Sequence, residues 1–174
     1  MKIYDCFMFF DEELILEIRL NILNKYIDYF VIVESELNHK GEKRELKFDI
    51  KKFSKFQKKI IYIIHKDLPT NLKIINKSDS KKIIDSKKFY NATKRENSQR
   101  DFISEGIKNA NDNDLILISD VDEIPNLNSF NFNKISHKIT VFEHYFFYYK
   151  FDLYIPNFFW YATKIIKKKD LISP

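Results

Sequence analysis

Glycine is almost missing from this chain, with 2 residues in 174 beside only 4 prolines. That scarcity excludes a collagen-like repeat and an array of flexible linkers. Cysteine is reduced to Cys6. A single thiol cannot close an internal disulfide, and no Cys/His spacing of a zinc site exists. Its neighbours Tyr4, Phe7 and Met8 favour a buried, inert sulfur. No apolar run approaches the roughly 20 residues of a membrane span. Asp5 and Asp11 interrupt what would be the apolar part of a signal peptide. A cytoplasmic location without a transmembrane segment is therefore expected. Internal repeats at solenoid periods are lacking as well.

What is present is a globular composition, 44% hydrophobic and 32% charged, in a chain long enough for one domain with a real core. Thirty basic residues against 25 acidic ones give a net charge of +5 and a pI near 9.0. That balance suits an anionic ligand, and it would also suit nucleic acid or an anionic membrane. The lysines are scattered among acids and apolar residues, which reads as a solvated surface for most of them. A nucleotide diphosphate is one anion that would fit, and no nucleic-acid partner is expected.

Residues 2–10 read as a first strand and residues 28–35 as a second. Between them Asp11 is a candidate N-cap, and Leu14, Ile15, Ile18 and Ile22 recur at helical spacing. This is a βαβ opening, which builds parallel sheet. Residues 36–44, with Gly41, form a loop. Residues 45–59 are expected to be helical in part, residues 59–65 a third strand, and residues 67–88 a long surface excursion. Helical spacing resumes over residues 92–110 through Phe102, Ile103 and Ile107. The alternation predicts an α/β fold with a mostly parallel sheet and flanking helices.

The stretch that organises the rest runs from Asp114 to Pro125. Leu115, Ile116, Leu117 and Ile118 read as a strand buried on both faces, and Asp120, Asp122 and Glu123 follow within a few positions. In an extended chain Asp120 and Asp122 point the same way while Val121 points to the core. Two such carboxylates attract Mn²⁺ or Mg²⁺. Glu123 is expected to point away and anchor the turn. The plainer reading is a solvated acidic turn capping a strand. Arg100, with Glu96 one helical turn before it, faces either an exposed ion pair or this acidic cluster. Glu34 and Ser35 end the second strand on the same sheet edge.

Residues 138–149 and 154–167 are aromatic and β-like, so the C-terminal part is expected to be rich in β-structure. Residues 142–161 carry Tyr145, Phe146, Tyr149, Phe151, Phe159 and Trp160 among their aromatics. Packing against the first layer is the favoured reading, and a platform for sugar rings is the functional one. Glu143, His144 and Asp152 are the later acid/base candidates, and Glu143 is taken with Asp122 as catalytic. His39, His65 and His137 are isolated and read as structural or solvated.

The segment Asp5-Cys6-Phe7-Met8-Phe9-Phe10-Asp11-Glu12-Glu13-Leu14 resembles the opening of glycosyltransferase family 17, the β-1,4-mannosyl-glycoprotein β-1,4-N-acetylglucosaminyltransferases. Phe30-Val31-Ile32-Val33-Glu34-Ser35 with Gly41 and Lys43, the Glu96…Arg100 pair and the Asp120-Val121-Asp122-Glu123-Ile124-Pro125 core complete the ordered set. The resemblance implies a GT-A fold, a UDP-sugar donor, a divalent metal, a glycan acceptor and inverting transfer, with N-acetylglucosamine as the expected sugar. It places Asp120 and Asp122 at metal and donor, and Glu34 and Arg100 on the donor side. The chain is expected to be one domain, 1–174, ending short of the family's usual acceptor-side segment. Two alternatives stand beside this reading. One is a nucleotide-sugar or glycan-binding remnant without turnover. The other is a phosphohydrolase using Asp120 as nucleophile, although Ile124 and a complete βαβ ahead of the motif fit it poorly.

Overall fold

The computed structural model describes residues 1–135, 137–150 and 152–174. Phe151, one of the aromatics counted above, lies outside the described residues. Six strands form one mixed sheet in the order β3-β2-β1-β4-β6-β5. They are β1 (Ile3–Phe9), β2 (Tyr29–Ser35), β3 (Ile60–His65), β4 (Leu115–Ile118), β5 (Ile139–Phe147) and β6 (Tyr154–Lys167). β1 through β4 pair in parallel, while β6 runs antiparallel to both β4 and β5. The expected α/β class and mostly parallel sheet are observed.

The sheet has covered faces, which is why its central strands are almost continuously apolar. On one face Phe7, Phe30, Ile32 and Leu117 pack with Leu16, Leu20 and Leu23 of α1 (Glu13–Leu23). On the other, Cys6, Val31, Val33 and Ile116 pack with Ile103 of the short α3 (Ile103–Gly106) and with Ile107. Cys6 is fully buried, and burial pushes its thiol well up from the ordinary value, in keeping with an inert sulfur. The long helix α2 (Lys81–Asp101) lies ahead of α3.

Four expectations are corrected. The face of α1 that enters the core carries Leu16, Arg19, Leu20 and Leu23, whereas Leu14 and Ile22 are exposed. Both stripes are apolar, so periodicity could not choose between them. Asp11 is not the N-cap. Glu12 holds that position, and its carboxylate accepts the backbone N–H groups of Phe10 and Asp11. α2 begins at Lys81, inside the expected excursion, because lysine is a good helix former even where no apolar stripe marks the helix. Finally, Phe142 packs against the first layer, but most of the aromatic hairpin does not. Only Lys164–Lys167 of β6 pairs with β4, and the rest of the β5–β6 hairpin leaves Tyr145, Tyr149, Phe159 and Trp160 exposed. Of residues 45–59, a 3-10 turn at Ser54–Lys59 is the helical part.

Both glycines have identifiable tasks. Gly41 adopts φ +86° in the loop after β2, a conformation that disfavours other residues. Gly106 lets α3 close on β2, since a Cβ there would meet Val31 Cγ1 at 2.2 Å. Gly106→Ala is predicted to lower the stability by about 1–3 kcal/mol through this overpacking. Urea unfolding checks it, and an unchanged midpoint would contradict the close approach.

Candidate active site

The parallel strands end on one edge of the sheet, and a cleft of about 980 Å³ opens there. Its floor is the turn after β4, residues 120–124, beside Met8, Phe9 and Phe10 at the end of β1. One wall is the outward apolar face of α1, through Ile15, Ile18 and Ile22. Glu96 and Gln99 of α2 and His144, Phe146 and Trp160 of the hairpin supply further walls. The apolar residues read from helical spacing thus line the cleft through Ile15, Ile18 and Ile22.

The acidic turn is held from beneath by Arg19. This side chain is fully buried together with Asp5. Its Nε and Nη2 donate to the two carboxylate oxygens of Asp5 at 2.8 and 2.6 Å. Its Nη2 also donates to Ser119 Oγ at 2.7 Å, and its Nη1 to the carbonyls of Asp120, Val121 and Glu123 at 2.9, 3.2 and 3.0 Å. The planar fork of a guanidinium can make this set of bonds, and a lysine ammonium cannot. The Phe7 ring lies 4.6 Å from the same guanidinium carbon.

Glu123 fastens the turn from above. Its Oε2 accepts the Asp120 N–H at 2.9 Å, and its Oε1 accepts Trp160 Nε1–H at 2.7 Å. Thr163 Oγ1 donates to the Glu123 carbonyl at 3.0 Å. The segment is thus turned from Asp120 onward rather than extended, with Glu123 N–H on the Asp120 carbonyl. Val121 still points to the core and is buried. Glu123 anchors the turn as expected, yet it also lines the cleft.

Asp120 and Asp122 both line the cleft. Desolvation, with the neighbouring charges of Glu123 and Asp120, raises the Asp122 carboxyl above its ordinary value; its own backbone N–H and Arg19 offset part of this. A carboxylate so crowded is the kind a hard cation relieves. Among the described residues no group of three His, Cys, Asp or Glu side chains could hold an ion by itself. Asp120 and Asp122 are the two carboxylates of the turn that could share a divalent cation, with water oxygens completing its shell.

Arg100 meets both of its expected partners. Its Nη2 lies 3.0 Å from Asp120 Oδ1 and 3.5 Å from Glu96 Oε1.

Glu34 and Glu143 are not brought to the cleft. Glu34 is fully buried and its carboxylate is occupied: it accepts the N–H groups of Lys47 and Phe48, takes the Tyr62 hydroxyl and pairs with Arg44 at 2.9 Å. It fixes the loop before the Ser54–Lys59 turn. Arg44 in turn donates to the Phe10 carbonyl and lies over the Phe10 ring, so this network steadies the cleft edge from behind. Glu143 is exposed and accepts the Tyr161 hydroxyl at 3.0 Å. Side chains alternate along β5, so Glu143 and its neighbour His144 take opposite faces.

His144 is the residue that reaches the cleft. Its Nε2 is buried and has no hydrogen-bond partner among the described atoms. Burial lowers its pKa below the ordinary value, against the opposing pull of Glu123. The period-two pattern Phe142, His144, Phe146 was the sequence signal for this face.

The family model for glycosyltransferase family 17 matches residues 1–170. The chain belongs to glycosyltransferase family 17. The match spans the βαβ opening, the acidic turn and the hairpin together, so the whole cleft falls within the family's extent. The family 17 chain is an enzyme of glycosyl transfer, which requires a sugar donor and an acceptor. Comparison with curated proteins finds no match, and comparison with solved structures finds none either.

Arg19→Met is predicted to cost about 3–5 kcal/mol, because it leaves Asp5 buried without its partner. Arg19→Lys should recover only part of this, since it cannot reach the turn carbonyls and both Asp5 oxygens at once. Guanidinium unfolding of the two variants tests this ordering, and a wild-type midpoint for Arg19→Met would refute it.

Proposed function

We propose that this glycosyltransferase moves N-acetylglucosamine from a UDP-sugar to a glycan hydroxyl, with inversion, on a GT-A-type fold. The observation that carries the reading is the acidic turn on the floor of a cleft at the carboxyl ends of β1 and β4. Asp120 and Asp122 would hold Mn²⁺ or Mg²⁺, which when bound supplies Lewis-acid neutralisation of the departing diphosphate. Arg100, paired with Asp120, adds a fixed positive charge on the same side. The buried Arg19 keeps the turn in place without facing the donor.

Inversion needs a base on the acceptor side. We assign that role to His144 in place of Glu143. Its lowered pKa keeps the imidazole neutral at pH 7, so Nε2 can accept a proton. The acceptor hydroxyl gives its proton to Nε2. Its oxygen bonds to the anomeric carbon. The bond from that carbon to the β-phosphate oxygen breaks, and its electron pair leaves with UDP. Tyr145, Tyr149 and Trp160 line the same cleft and offer aromatic faces to the sugar rings of donor and acceptor.

Two measurements test these roles. Calorimetry of UDP with Mn²⁺ should show binding to the wild type and none to Asp122→Ala, with circular dichroism unchanged; equal affinity in the two proteins would remove the metal assignment. In a UDP-release assay His144→Ala should lower kcat by about 10²–10⁴-fold while the donor KM stays near wild type. Glu143→Gln should be nearly silent, and the reverse order would return the base to Glu143.

A further inference from the structure

The chain's excess positive charge is concentrated far from the acidic turn in sequence. Residues 66–90 hold seven lysines against three aspartates, a net +4 of the chain's +5, and no arginine. The same segment exposes large apolar side chains, with Ile74 at 78%, Phe89 at 77% and Leu68 at 60%. These side chains do not belong to a loose loop. Asn91 accepts the Lys73 N–H at 2.7 Å and donates to the Lys73 carbonyl at 2.8 Å. Lys87 Nζ holds the Ile74 carbonyl at 2.9 Å and Asp79 at 2.6 Å. The strap ahead of α2 is therefore tied along the helix, with Ile74 outward.

The first half of α2 continues this surface. At about 100° per residue, Phe89, Lys82 and Ser86 lie opposite Asn91, the buried residue of the helix. Tyr90 and Ile83 flank them on the side of Lys87, which holds the strap. The outward side of the helix thus joins Phe89 and Ile83 to Lys82, whose aliphatic stem can lie along them with its ammonium group extended, and Lys81 and Lys88 border it as exposed charges.

We propose that residues 66–90 dock the protein on an anionic lipid surface. Lysines interspersed with aliphatic and aromatic side chains match a bilayer, where the charges meet lipid phosphates and Phe89, Ile74 and Ile83 enter the interface. Nucleic acid fits less well. It has no use for exposed isoleucines, and forked phosphate recognition favours arginine, which this segment lacks. No helix among the described residues is long and apolar enough to cross a membrane, so the helix lies on the surface. Glu96 of the cleft wall follows Phe89 by seven residues, about 10 Å along the helix axis. Docking therefore holds the cleft beside the lipid. The proposal does not rest on the identity of donor or acceptor.

Co-sedimentation of the purified chain with vesicles tests it. Binding to mixed phosphatidylcholine–phosphatidylglycerol vesicles is expected, with little binding to pure phosphatidylcholine. Two sets of exposed substitutions, K81Q/K82Q/K88Q and Phe89→Ser, should each weaken partitioning by about tenfold or more with circular dichroism unchanged. Absence of binding to the anionic vesicles overturns the proposal. So does binding that Phe89→Ser leaves intact, or binding to duplex DNA as tight as to the vesicles, because either marks a general polyanion surface.

Discussion

Everything at the cleft depends on one buried ion pair. Asp5 lies in the middle of the first strand, on the face that α1 covers, where an unpaired carboxylate would be strongly destabilising. Arg19 answers it from the helix, and the same guanidinium then reaches the three carbonyls of the acidic turn. The interaction selects which of two apolar stripes on α1 turns inward. It also fixes where the chain goes after β4. Ile15, Ile18 and Ile22 are left to line the cleft because Arg19, with Leu16, Leu20 and Leu23, takes the inner face. Fold and candidate site are thus specified by the same contact.

A second constraint comes from the hairpin. Trp160 and Thr163 of β6 hold Glu123 by side chain and carbonyl. The acidic turn is clamped between the first helix and the last strand, which meet it from opposite ends of the sequence. Asp120 and Asp122 stay at the cleft surface while the backbone beneath them is immobilised, the arrangement expected of a preorganised anionic site.

The strands were legible because a sheet covered on its faces demands apolar runs, and residues 28–35, 59–65 and 114–118 show them plainly. Asp120 and Asp122 were legible because they interrupt such a run at its end. The partners of the turn were not. Arg19 lies more than 100 residues from the carbonyls it binds, and in sequence it looks like any surface charge on an amphipathic helix. The available signal was Asp5, a charge inside an apolar strand that had to have a partner. Glu34 carried the same signal and was read as a ligand contact; its carboxylate is occupied by backbone and side-chain donors instead. Glu143 and His144 differ by one position, and strand alternation alone separates a surface carboxylate from a cleft imidazole.

A crystal structure with Mn²⁺ and UDP bound tests the central claim most directly. The account predicts the metal on Asp120 and Asp122, the diphosphate on that metal within the cleft, and Arg19 still joined to Asp5 and to the turn carbonyls. Nucleotide bound away from the turn, or a turn released from Arg19 when the metal binds, would contradict it.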